Sequence, residues 1–167
     1  MTVVVYTAPT TEPLTIAEVQ AHLRLDSGSQ EPAPSALTCA MVLPAAAGNV
    51  DTGVHRYCVT FVTAIGETQA GTVSASVTVA DKAVNGQVVL SAIPLGGSAV
   101  TARKIYRTAA GGTSYLLLAT IADTTTTYTD NIADASLGVG APSTNTTGDP
   151  YLTALIQAAR QFAEQEL

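Results

Sequence analysis

The chain has little charge: Asp, Glu, Lys and Arg make up 12% of its 167 residues, about half the roughly 25% usual in soluble domains. Basic residues are scarcest, 7 Lys and Arg against 13 Asp and Glu, a formal charge of −6. Gripping nucleic acid by phosphate neutralisation requires clustered cations, and the only cluster is Arg103, Lys104 and Arg107. Aromatics are 5% and Trp is absent, so no large-aromatic core is expected. The two cysteines, Cys39 and Cys58, supply neither a disulfide framework nor a zinc-binding set. They are expected as small apolar residues in strands. Met1–Tyr6 lacks the basic region of a secretory signal. The longest apolar stretch, Tyr115–Ala122, is far below the roughly 20 residues that span a bilayer. These absences predict a soluble protein made in the cytoplasm. No GxSxG, Walker A, GxGxxG or HExxH occurs, so neither an enzyme nor a cofactor is expected.

What is present is a pattern whose period changes twice. Ile16, Val19 and Leu23 recur at helical spacing. Thr15 and Glu18 form a capping box at the start of that helix. After a polar, Pro-containing stretch the period becomes two, predicting strands at about 37–43, 56–61, 76–79, 87–93, 100–108, 114–121 and 125–130. Turn signals separate them at Ile65-Gly66, Asn85-Gly86, Gly96-Gly97 and Gly111-Gly112. Seven short strands at this spacing predict a β-sandwich. Helical period then returns: Asp149 is an expected N-cap, Pro150 suits the first helical position, and Leu152, Leu155, Ile156, Ala159, Phe162 and Ala163 mark an apolar stripe. The stripe reaches Leu167 with no stop signal, and Glu164 and Glu166 oppose the helix dipole. A helix continuing past Leu167 is expected.

The polar residues suggest no catalytic constellation. His22 is expected at a surface or interface, and His55 as a structural residue. Asp123, Asp130 and Asp134 match no calcium-loop spacing, and Asp in turns ordinarily bonds its local backbone; no metal is expected. Asn145-Thr-Thr147 matches a glycosylation sequon by chance. Arg103, Lys104 and Arg107 on an alternating strand are expected to form a solvated sheet face. The sharper alternative is a contact with an acidic neighbour or a glycan. Tyr57, Tyr106, Tyr115 and Tyr128 are candidates for stacking on sugars, though tyrosines in alternating strands usually belong to the core.

The two helical segments, 15–26 and 149–167, hold about 31 residues, and domains under about 40 rarely fold without help. They need partners. The intervening β segment is long enough to fold alone, and its ends must lie close together if it is inserted between the two helices. The expected organisation is an α + β multidomain chain: an N-terminal arm and first helix (1–26), a linker (27–35), an inserted all-β immunoglobulin-like sandwich (36–141), a second linker (142–148) and a second helix (149–167).

The run EPLTIAEVQAHLRLD, from Glu12 to Asp26, resembles the opening helix of the head–tail connector (adaptor) proteins of long-tailed bacteriophages. The run DPYLTALIQAARQFAE, from Asp149 to Glu164, resembles a later helix of the same family. Residues 27–148 stand where that family has a short polar turn, and its segment after the second helix is absent here. Within the insert, GVHRYCVTFVTAIGET from Gly53 to Thr68 resembles the last hairpin of a fibronectin type III or immunoglobulin-like module. RKIYRT (103–108), YLLLATI (115–121) and TYTD (127–130) resemble its middle strands, in circularly permuted order.

The resemblance implies a structural virion protein of the phage neck. It would form a ring of about a dozen copies between portal and tail, extending the DNA channel. Its partners would be further copies of itself, the portal protein, and a stopper or tail-completion protein. Packaged DNA would pass without specific binding, and no membrane is involved. Ile16, Val19, Leu23, Leu152, Leu155, Ile156 and Phe162 are the residues expected in helix packing and ring assembly. The alternative is an immunoglobulin-like adhesin on the virion surface, recognising a host glycan or a neighbouring virion protein.

Overall fold

The computed structural model describes Thr15, Glu18 and residues 30–148 and 150–165. The chain divides into two compact units, Gln30–Thr147 and a second formed by Met1–Ser29 with Gly148–Leu167. The described residues form a mixed α and β fold with three antiparallel sheets and two short helices.

Gln30–Thr147 carries eight strands: β1 (Thr38–Met41), β2 (Gly53–His55), β3 (Tyr57–Thr63), β4 (Val77–Val79), β5 (Val88–Ser91), β6 (Val100–Thr108), β7 (Tyr115–Ala122) and β8 (Tyr128–Asp130). One helical turn, α1 (Lys82–Asn85), lies between β4 and β5, and a short 3-10 turn spans Asp134–Ser136. The sheets are ordered β1-β5-β8, β2-β4 and β3-β6-β7. Alternation explains the simplest strand: Val77 and Val79 are buried and Thr78 exposed. β3 is different, because Tyr57 through Phe61 are all buried, as in a strand covered on both faces. Tyr57, Val59, Val77, Val79, Val88, Leu90, Ile105 and Ile121 bring side chains of all three sheets into one core.

Only one of the expected turns joins two strands that pair with each other. Gly112 N–H donates to the Ala109 carbonyl at 2.9 Å, and Gly111 stands at φ +67°, a conformation that costs glycine nothing. β6 and β7 leave this turn in register from Thr108–Tyr115 to Ala102–Ala122, with one irregularity after Ile105. Asn85-Gly86 instead ends α1, which starts where the Asp81 carboxylate accepts the Ala83 N–H at 2.9 Å. β4 and β5 therefore belong to different sheets. A second difference is β2, which pairs with β4 from His55–Val77 to Gly53–Val79 and lies upstream of the alternating run at 56–61.

Both edges of the β3-β6-β7 sheet are occupied. Along β3, the N–H groups of Thr68, Gly71 and Ser74 donate to the carbonyls of Phe61, Val59 and Tyr57 at 2.8–2.9 Å. Along β7, Leu117 and Val139 share a 2.8 Å bond, and Ala141 donates to Tyr115 at 2.9 Å. Irregular segments thus cover what would otherwise be open pairing edges.

The stretches expected as linkers contribute to the same unit. Glu31 N–H donates to Thr147 Oγ1 at 2.9 Å, and Asn145 Nδ2 donates to the Glu31 carbonyl at 2.8 Å. The two ends of Gln30–Thr147 are therefore held side by side, which is the geometry an insertion between flanking segments requires.

In the second unit, Thr15 and Glu18 make the expected capping box: Thr15 N–H donates to Glu18 Oε2 at 2.8 Å, and Glu18 N–H to Thr15 Oγ1 at 3.2 Å. The backbone bond from Thr15, followed by its hydroxyl, holds the Glu18 carboxyl below its ordinary pKa. α2 spans Pro150–Gln165; its expected N-cap, Asp149, lies outside the described residues. Among the described residues no helix is long and apolar enough to cross a membrane.

Candidate functional site

The expected interface residues divide sharply on the second helix. Ile156 is buried at 8% exposure, whereas Leu155 is 43% and Phe162 68% exposed. Leu152 lies in α2, with its side chain outside the described set, and Ile16, Val19, Leu23 and His22 are also outside it. Tyr151, Leu155, Ala158 and Phe162 follow one another at intervals of four, three and four residues, so they share a stripe along α2. All four are exposed. That spacing is the seam by which one helix packs on another.

The β6 cations are not a solvated face, contrary to the sequence expectation. The side chains of Arg103 and Arg107 are 0% exposed. Arg107 Nη1 meets the equally buried Asp130 Oδ2 at 2.5 Å and the Ile132 carbonyl at 2.9 Å, while Nη2 meets Asp134 Oδ1 at 2.7 Å. The Tyr57 hydroxyl donates to the same Asp130 oxygen at 2.9 Å. Burial, then the adjacent Asp130 charge, raises the Tyr57 pKa far above its ordinary value, so the phenol stays a donor. The chain of contacts continues outward: Asp134 N–H donates to Asp51 Oδ2 at 2.9 Å, and Asp51 Oδ1 pairs with Lys82 at 2.6 Å. The Lys82 bond, followed by that N–H, lowers the Asp51 pKa. Asp130 and Asp134 are thus committed to an arginine.

Arg103 solves its burial differently. Its two terminal nitrogens donate to the carbonyls of Ile93, Pro94, Ala122 and Thr125 at 2.5–3.3 Å, tying the loops after β5 and β7 together. Asp123 stands 3.7 Å from its Nε. Lys104 takes the acidic-neighbour alternative, meeting Glu67 Oε2 at 2.5 Å. Glu67 Oε1 accepts from the hydroxyls of Thr60 and Tyr106, both at 2.6 Å. Burial raises the Glu67 pKa, but bonds from Lys104, Thr60 and Tyr106 outweigh it, and the net shift is downward.

The remaining candidates are absorbed by the fold. His55 is fully buried, with Nδ1 2.9 Å from the Thr108 carbonyl and Nε2 2.8 Å from the Asp51 carbonyl; it bridges β2 to β6 and to the loop before β2. Cys58 is buried, which pushes its thiol pKa up to about 12 and makes it unreactive. Cys39 is half-buried and contacts the Ala75 carbonyl at 3.2 Å. The sequon asparagine, Asn145, accepts from Thr147 N–H at 3.0 Å and from its hydroxyl at 2.7 Å. It forms a local turn and clasps Glu31.

One feature was not legible in the sequence: an open cleft lined by Val54, Arg56, Thr108, Gly111, Gly112, Thr113 and Tyr115. Its members come from β2, the β2–β3 junction at Arg56, β6, the β6–β7 turn and β7. The usable signal was Gly111-Gly112 beside Tyr115, but nothing in one dimension places β2 against that turn. Among the described residues no group of three His, Cys, Asp or Glu is arranged to hold a metal. Compared with known protein families and with curated proteins, the chain matches none.

Proposed function

We propose that this chain is a structural subunit of a tailed-phage neck, a head–tail connector interrupted by a fibronectin type III-like sandwich. The observation that carries this reading is the division of the chain. Met1–Ser29 and Gly148–Leu167 belong to one unit although Gln30–Thr147 separates them, and Glu31 and Thr147 are bonded to each other at the ends of the intervening unit. A domain inserted into an older helical platform produces that organisation. The two segments outside the insert are also those whose sequences resemble the connector helices.

Three antiparallel sheets sharing one core support the sandwich. In it, β3 and its 67–74 edge form the last hairpin, and β6 and β7 the middle strands. The exposed stripe of Tyr151, Leu155, Ala158 and Phe162 supports assembly, since contiguous apolar surface of this kind marks an interaction face. In a closed ring each copy covers its neighbour's stripe.

The experiment is the solution mass by light scattering with negative-stain images, on the native chain and on Leu155→Asp and Phe162→Asp. The expected result is closed rings bearing peripheral knobs, reduced to monomers by either substitution with the near-ultraviolet circular dichroism unchanged. Ile156→Asp is the wrong test because Ile156 is buried and its loss would damage the unit itself. A monomer whose mass neither variant alters overturns the ring.

A further inference from the structure

We propose that the cleft between β2 and the β6–β7 turn binds a carboxylate-bearing sugar, with Arg56 meeting the carboxylate and Tyr115 offering its ring. The inference stands apart from the connector reading and holds whether or not the chain forms a ring.

The first observation is the state of Arg56. Among the described cations, Lys82, Arg103, Lys104 and Arg107 each face a carboxylate, and Arg160 has an interaction of its own. Arg56 is exposed, and no carboxylate among the described residues pairs with it. In a chain of net charge −6, an unpaired guanidinium lining a cleft is the natural place for an external anion.

The second observation is that the cleft walls are fixed. Thr108 N–H donates to the Arg56 carbonyl at 3.0 Å, and Arg56 N–H donates to Thr108 Oγ1 at 3.1 Å. Gly111 N–H donates to the Val54 carbonyl at 2.9 Å. Ala110 presses onto Gly53, where an added Cβ would sit 2.7 Å from the Ala110 Cβ. Ala110 N–H is held at 2.7 Å by Asp134, itself anchored by buried Arg107. A site whose backbone is already in place loses little freedom on binding.

The lining then selects the ligand. One cation, two threonines, glycine backbone and one ring suit a polar ring compound with a single negative group. A single arginine does not suit a polyanion such as nucleic acid. Of the four tyrosines expected as sugar-stacking candidates, Tyr57 and Tyr106 are buried and bonded to Asp130 and Glu67. Tyr128 packs against the core. Tyr115 is half-buried and lines the cleft, and its phenol, raised in pKa first by burial, remains a hydrogen-bond donor.

The test is a titration of the whole chain with glucuronic acid and N-acetylneuraminic acid, followed by amide NMR, with glucose, acetate and inorganic phosphate as comparisons. The expected result is saturable shifts at Val54, Arg56 and Gly111–Tyr115 with an acidic sugar. Arg56→Gln should weaken that binding by about tenfold or more. Arg56→Lys, which keeps the charge but loses the planar fork, should fall between. Arg56→Gln keeps both backbone bonds to Thr108, so its melting temperature should match the native chain. Acidic sugars binding no better than acetate or phosphate, or Arg56→Gln binding like the native chain, overturns the proposal.

Discussion

Asp130→Ala tests the buried ion pair most directly. Asp130 is 0% exposed and accepts three bonds: from Arg107 at 2.5 Å, from the Tyr57 hydroxyl at 2.9 Å and from Ile132 N–H at 3.0 Å. Removing the carboxylate leaves a fully buried guanidinium with only the Ile132 carbonyl and Asp134, whose side chain is 19% exposed. Breaking one partner of a buried pair costs about 3–5 kcal/mol. Tyr57→Phe removes only the phenol bond to the carboxylate, worth about 1.5–3 kcal/mol. The two substitutions delete the same bond, so their effects must sum to more than the double variant shows. Urea unfolding is the assay. With no Trp in the chain, near-ultraviolet tyrosine circular dichroism is the probe, dominated by Tyr57, Tyr106, Tyr115 and Tyr128 of the β unit. A loss below about 1 kcal/mol for Asp130→Ala, or strict additivity with Tyr57→Phe, would refute the claim that this cluster organises the core.

Two further outcomes follow from the same physics. Glu67 has a folded pKa below its unfolded one, so its contribution is complete above the ordinary glutamate value of about 4.3 and disappears as pH falls through the lowered one. The stability gap between the native chain and Glu67→Gln should therefore shrink from about pH 7 to about pH 3 in urea titrations. Its partial exposure keeps the gap under about 1 kcal/mol, and a gap that widens on acidification contradicts the assignment. Gly53→Ala should cost at least about 1–3 kcal/mol, because φ is +151° and the new methyl meets Ala110; thermal unfolding measures it, and an unchanged melting temperature refutes the close approach.

What could be read in one dimension was whatever depends on near neighbours. The Thr15–Glu18 capping box spans three residues and is present as expected. The 100–108 strand and the Gly111-Gly112 turn rest on local alternation and on one backbone conformation, and both stand as read. Asn85-Gly86 failed as a hairpin signal because Asp81, four residues earlier, caps a helical turn that uses the same residues. β2 was missed because three residues are too few for a period to register.

The deeper failure concerns charge. An arginine on an alternating strand reads as solvent-facing because burying a lone cation is costly, and sequence supplies no view of its partners. For Arg107 they are Asp130 and Asp134, 23 and 27 residues on. For Arg103 they are four backbone carbonyls, from the loop after β5 and from the end of β7 and the loop that follows it, which have no residue signature at all. The low charge content, first evident as an absence, gains its meaning here. With so few charges, four of the described cations face acids or carbonyls inside the molecule, and these contacts fix which loops meet. Arg56 is the exception that the same inventory exposes, since its neighbours hold its backbone and leave its guanidinium to solvent. That unpaired charge, in a chain that pairs its other β-unit cations, is the observation on which the acidic-sugar proposal rests.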